Sequence, residues 1–215
     1  MNASAIALGA AVLALSLVDP AAAQQVRTER SETMQRRAVA AWTACIASEF
    51  PEDVEQLLSL DYRSDDYREL IGDLSQRRVS QECFDAMPRA YRRIRLTGLP
   101  FAGGLAERML EADDAEPLVN RFARAAIGRE AVTYSYTDQV ANCAVRGAPD
   151  LVANLFASEV ASEEETSALS RLAPVIEICS QNGSAIQASP LAMRAMLATA
   201  GHRLLAAQEE SDTDA

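Results

Sequence analysis

Apolar residues recur every three or four positions along most of the chain, the spacing of amphipathic helices. From Ser31 onward, Val39, Trp42, Ile46 and Phe50 trace one face of a first helix, with Cys45 beside them. Trp42, the only tryptophan, reads as a core anchor on that face. Pro51 predicts the start of a second helix, since a missing N–H costs nothing in a first turn and Glu52 and Asp53 suit the positive end of the helix dipole. Val54, Leu57 and Leu58 form its apolar face, and it should end near Asp61. Ser64 predicts the N-cap of a third helix, with Tyr67, Leu70, Ile71 and Leu74 inward and Cys83 at its end or just beyond. An irregular stretch from Pro88 to Gly98 leads to a fourth helix with Leu105, Ala106, Met109 and Leu110 inward. Glu111 to Pro117 reads as a linker, and a helix around Leu118, Val119, Phe122 and Ala126 is expected to bridge what lies on either side. Tyr136, Val140, Cys143 and Ala144 open a further series. Pro149 starts the next helix, with Val152, Leu155 and Phe156 inward. Ser162 begins another, with Leu169, Leu172, Ala173 and Ile176 inward up to Cys179. Ser189-Pro190 opens the last, with Leu191, Leu197, Leu204 and Leu205 inward. No stretch alternates with period two over more than a few residues, so the expected fold is all-α.

The second series repeats the first. A shift of 98 positions carries Cys45 onto Cys143, Pro51 onto Pro149, Leu57 onto Leu155 and Ser64 onto Ser162; after a two-residue deletion Cys83 falls on Cys179. The expected organisation is a first helical repeat over residues 24–112 and a linker with its helix over 113–130. A second repeat over 131–208 and an acidic, disordered tail over 209–215 complete it. Four cysteines allow three pairings. If the repeats fold alike, the equivalent bridges are Cys45–Cys83 and Cys143–Cys179, and neither alternative closes a bridge within one repeat. No Cys-x-x-Cys is present, so the bridges read as structural rather than redox-active.

Residues 5–18 form an apolar run too short to span a bilayer comfortably. Asp19-Pro20 ends it and Ala21-Ala22-Ala23 supplies small residues for cleavage, so residues 1–23 read as a signal peptide and Gln24 as the first mature residue, although no Lys or Arg precedes the run. Export agrees with disulfide-paired cysteines. The expected location is periplasmic or secreted, with nothing membrane-spanning once the signal is removed. Aromatics make up only 5% of the chain, so the core is built of small aliphatic side chains that suit close helix packing. A net charge of −11 argues against nucleic acid and anionic membrane surfaces as partners. Every basic residue except His202 is arginine.

The unit Cys45, Pro51, Leu57, Leu58, Ser64-Asp65-Asp66-Tyr67, Cys83 and Leu105-Ala106-Glu107 resembles uncharacterised exported all-helical proteins of Gram-negative bacteria that carry a tandem Cys-containing repeat. The resemblance covers nearly the whole mature chain and implies an exported helical protein, with no chemistry attached. The second repeat departs from it, with Gly201-His202 in place of Ala106-Glu107.

Candidate chemistry is sparse. No cofactor-binding or metal motif stands out. Gly103-Gly104 lacks the partners of a phosphate loop and reads as a helix-packing pair. Glu163-Glu164-Glu165 reads as a capping box. His202 is the only histidine and the one candidate general base, without a second ligand for zinc. Arg89, Arg92, Arg93 and Arg95 cluster within an otherwise acidic protein, either paired with the acidic second repeat or open to an anionic partner. The leading expectation is a helical module that binds a protein or peptide partner, such as an envelope protein. The alternatives are a small hydrolase-like enzyme using His202 or a carboxylate pair, and a carrier of an apolar ligand.

Overall fold

In a computed structural model, which describes residues 31–92, 95–112, 115–180 and 183–213, every regular element is helical. The expected signal peptide lies outside the described residues. Ten α-helices follow in order: α1 (Glu32–Glu49), α2 (Pro51–Ser59), α3 (Asp65–Leu74), α4 (Gln81–Ala86), α5 (Gly98–Ala112), α6 (Leu118–Ile127), α7 (Tyr136–Gly147), α8 (Pro149–Phe156), α9 (Glu163–Cys179) and α10 (Pro190–Thr213). A 3-10 turn, Arg89–Tyr91, sits between α4 and α5.

The starts of these helices follow from local chemistry. The hydroxyls of Ser31, Ser64, Ser80, Ser135 and Ser162 each accept the amide three residues on, satisfying a donor that the helix itself leaves orphaned. Pro51 and Pro149 both stand at N1, and the residues before them share one bent conformation: Phe50 at φ −133°, ψ 51° and Ala148 at φ −146°, ψ 60°. The order helix, Pro-started helix and Ser-capped acidic helix is therefore the same on both sides of the linker. The disulfides are Cys45–Cys83 and Cys143–Cys179, with Cα atoms 5.7 and 5.8 Å apart. Each ties the first helix of its set to the segment three helices on or two.

Two boundaries differ from the sequence reading. Cys83 does not end the third helix: α3 stops at Leu74, and the Ser80 hydroxyl nucleates α4, which carries Cys83. The counterpart α9, capped by Ser162, runs unbroken from Glu163 to Cys179. The expected disordered tail from residue 209 is also corrected, because α10 continues to Thr213. Gln208 lies against Gly128, where a Cβ would meet its side chain, and Arg129 pairs with Glu210 at 3.8 Å, so the end of α10 is held by the turn after α6.

The two sets of helices share one core rather than enclosing two. Ile46, Leu57, Phe101 and Leu105 belong to the same buried cluster as Phe122, Leu155, Leu172, Leu197 and Leu204. The most extensive packing is between α5 and α10, with α1 laid on α5 and α7 on α10. The helix after the linker, α6, packs on α7, α8 and α10, so joining the halves falls to the α5–α10 pair instead.

That pair is close because of Gly103 and Gly104. A Cβ on Gly103 would sit 2.3 Å from the Cα of Ala195 on α10, and one on Gly104 would sit 2.7 Å from the side chain of Thr43 on α1. An exposed helical Gly→Ala change normally gains about 1 kcal/mol. At Gly103 the sign reverses, since the obstacle is backbone. Gly103→Ala should lower the urea midpoint by the equivalent of about 1–3 kcal/mol, the usual cost of overpacking, as read by circular dichroism.

Candidate functional site

A groove of about 500 Å³ runs along α9. Leu169, Leu172, Ala173 and Ile176 line one wall at the helical spacing that places them on one stripe. Ile186 and Ala188 from the connecting segment, with Pro190 and Met193 from the start of α10, form the other. The segment is held from below: Tyr136 Oη lies within hydrogen-bond distance of the carbonyls of Ser180 and Ser184. Among the described residues, the backbone groups of residues 185–188 enter no backbone hydrogen bond, so irregular backbone with open donors and acceptors borders an apolar floor. Glu177 stands on the rim and is exposed.

Beneath the other end of α9 lies a buried charge network that joins four helices. Arg36 of α1 places Nη2 2.6 Å from both carboxylate oxygens of Glu165, at the start of α9. Arg194 of α10 donates through Nη1 to the same carboxylate at 3.0 Å. Its Nε and Nη2 reach Glu107 of α5 at 2.8 and 2.6 Å, a bidentate fork, and Nη2 also meets the carbonyl of Ser158 at 3.0 Å. None of the four side chains is more than 9% exposed. Burial alone works against the charge on Arg194, yet Glu107 and Glu165 hold its pKa above the ordinary arginine value. Two buried guanidiniums face two buried carboxylates, and at the partly exposed edge Arg108 bridges Glu107 at 3.2 Å and Glu111 at 2.6 Å. Glu165 also accepts the backbone N–H of Ala161 at 2.9 Å, steadying a residue whose φ of 62° is the one positive value on a non-glycine residue among those described.

The expected capping box is present in part: the Ser162 hydroxyl accepts the Glu165 amide, but the Glu165 carboxylate reaches Ala161 and two arginines rather than the amide of Ser162 itself. The Gly pair packs helix on helix. Trp42 is half-buried and packs on the core, with Nε1 buried and lacking a hydrogen-bond partner among the described residues. In the arginine cluster, Arg92 is occupied locally. It donates to the carbonyls of Met87 and Asp85, pairs with the Asp85 carboxylate at 3.4 Å and covers the Phe84 ring. Arg89 and Arg95 are exposed, and Arg93 lies outside the described residues.

His202 lies in a recess of about 300 Å³ bounded by Glu55 and Glu209. Its Nε2 is 3.4 Å from a Glu55 oxygen, and Nδ1 is buried with no partner among the described residues. The hydrogen bond from His202 holds the Glu55 carboxyl below its usual range, against the opposing effect of burial. The lining contains no hydroxyl or thiol side chain. The recess thus brings an imidazole and carboxylates together with no hydroxyl or thiol among its lining residues, and the groove along α9 is the larger of the two. Among the described residues, no cluster of His, Cys, Asp and Glu could hold a metal ion, and no helix is long and apolar enough to cross a membrane.

Models of known protein families, curated proteins and solved structures were all compared with this chain, and none matches.

Proposed function

We propose that this chain is an exported, periplasmic helical module, stapled by its two disulfides, that binds an extended apolar segment of a partner polypeptide in the groove along α9. The observation that carries the reading is the groove's mixed lining: an apolar floor from Leu169, Leu172, Ile176 and Met193, bordered by residues 185–188, whose backbone enters no backbone hydrogen bond among the described residues. A polypeptide brings what both need, apolar side chains and a backbone that can hydrogen-bond with the open groups of that segment. A purely apolar ligand would leave those groups unsatisfied. Glu177 on the rim and the net charge of −11 favour a neutral or basic segment over an acidic one. Two disulfides support an oxidising compartment. An envelope protein or secreted peptide is the partner class this implies.

Selection of a random displayed peptide library on the full chain should enrich extended sequences rich in Leu, Ile and Phe. Ala173 is exposed on the groove wall, so Ala173→Arg should abolish binding of the selected peptides while changing stability by about 0.5 kcal/mol or less. Peptides that bind Ala173→Arg as tightly as the parent would remove the reading.

A further inference from the structure

A second cleft, of about 420 Å³, opens between the two sets of helices, within the range of ordinary small-molecule sites. Its apolar side is built by Ile71 of α3, Leu99 and Ala102 of α5, and Met196 of α10. Facing them is Arg203, whose side chain is only 16% exposed. The guanidinium makes one hydrogen bond among the described residues, from Nη1 to Asp138 at 3.3 Å, so most of its five donors are unused. It lies 5.6 Å from the ring centre of Tyr62 and 5.2 Å from that of Tyr134. Arg63 lies over the same Tyr134 ring at 5.1 Å. The rings of Tyr62 and Tyr134, which would attract a cationic ligand, thus already carry the protein's own cations.

We infer that this cleft binds a small amphipathic carboxylic acid, its apolar body against Leu99, Ala102 and Met196 and its carboxylate on the free donors of Arg203. The pairing suits guanidinium geometry, in which a planar fork takes two carboxylate oxygens at once. Tyr67, also on the wall, has its hydroxyl proton held more tightly than usual by burial, and so stays a neutral neighbour for an anion. The site is separate from the groove along α9 and does not depend on it.

Decanoate and its uncharged analogue 1-decanol, titrated into the full chain by calorimetry, test the assignment. Decanoate should bind saturably, one molecule per chain, and roughly tenfold to a hundredfold more tightly than decanol, the worth of hydrogen bonds to a charged group. Arg203→Gln should reduce decanoate binding to the decanol level. Because that change removes the ion pair of Asp138, a second pair of variants at the exposed rim residue Leu99 keeps the test independent of folding: both lose the same apolar contact, but Leu99→Glu should bind decanoate about tenfold more weakly than Leu99→Lys. Absence of saturable decanoate binding, equal affinity for decanol, or identical behaviour of the two Leu99 variants would overturn the assignment.

Discussion

Glu165→Gln should cost about 3–5 kcal/mol, the largest effect expected of any single polar substitution in this chain. Glu165 is 1% exposed and takes hydrogen bonds from Arg36, Arg194 and the amide of Ala161. A neutral amide there leaves Arg36 and Arg194 with only the Glu107 carboxylate, itself shared with Arg108, and the uncompensated charge must be carried in a poorly solvated interior. For a chain of this size each kcal/mol lowers the melting temperature by roughly 2–4 °C, so a drop on the order of 10 °C follows. Asp65→Asn is the control: it removes the exposed pair with Arg68, which should be worth about 0–1 kcal/mol. Thermal melts of the two variants side by side check the difference. If both shift equally and slightly, the network is not the lock between α1, α5, α9 and α10 that its geometry suggests.

Loss of one disulfide should be comparable. Cys45–Cys83 and Cys143–Cys179 close loops of 38 and 36 residues, each worth about 4 kcal/mol in the chain-entropy account. Cys45→Ser with Cys83→Ser, which avoids leaving a free thiol, should lower the unfolding free energy in urea by that amount without changing the helical signal at low denaturant. A core poor in aromatics and rich in alanine leaves the protein dependent on such staples. An unchanged unfolding midpoint would mean that the closed loop is already compact in the unfolded chain.

Most of the helices, the caps at Ser64 and Ser162 and both bridges were legible because each depends on near neighbours: the two serines act on the amide three residues away, and Pro51 and Pro149 on their own turn. The register between the two series was enough to choose the pairing of four cysteines. The break between α3 and α4 was missed because Ser80 looks like any polar residue until its hydroxyl is seen to cap Cys83. The charge network was hidden for a similar reason. Glu165 already had a local explanation as a cap, Arg36 sits beside the equally charged Arg37, and Glu107 beside Arg108, as surface residues do. The one available sign was Arg194, a lone charge in an otherwise uncharged stretch from Pro190 to Gly201. The groove could not be read at all, since it depends on how residues 183–190 pass alongside α9 without covering it.

The claim that this chain is a polypeptide-binding module is tested most directly by a two-dimensional amide NMR titration of the labelled full chain with a peptide selected on it. Binding in the groove predicts shifts confined to residues 169–177 and 185–193, including amides of residues 185–188 that gain a hydrogen-bond partner. Shifts centred instead on Tyr62, Leu99 and Arg203, or scattered with no focus on α9, would contradict it.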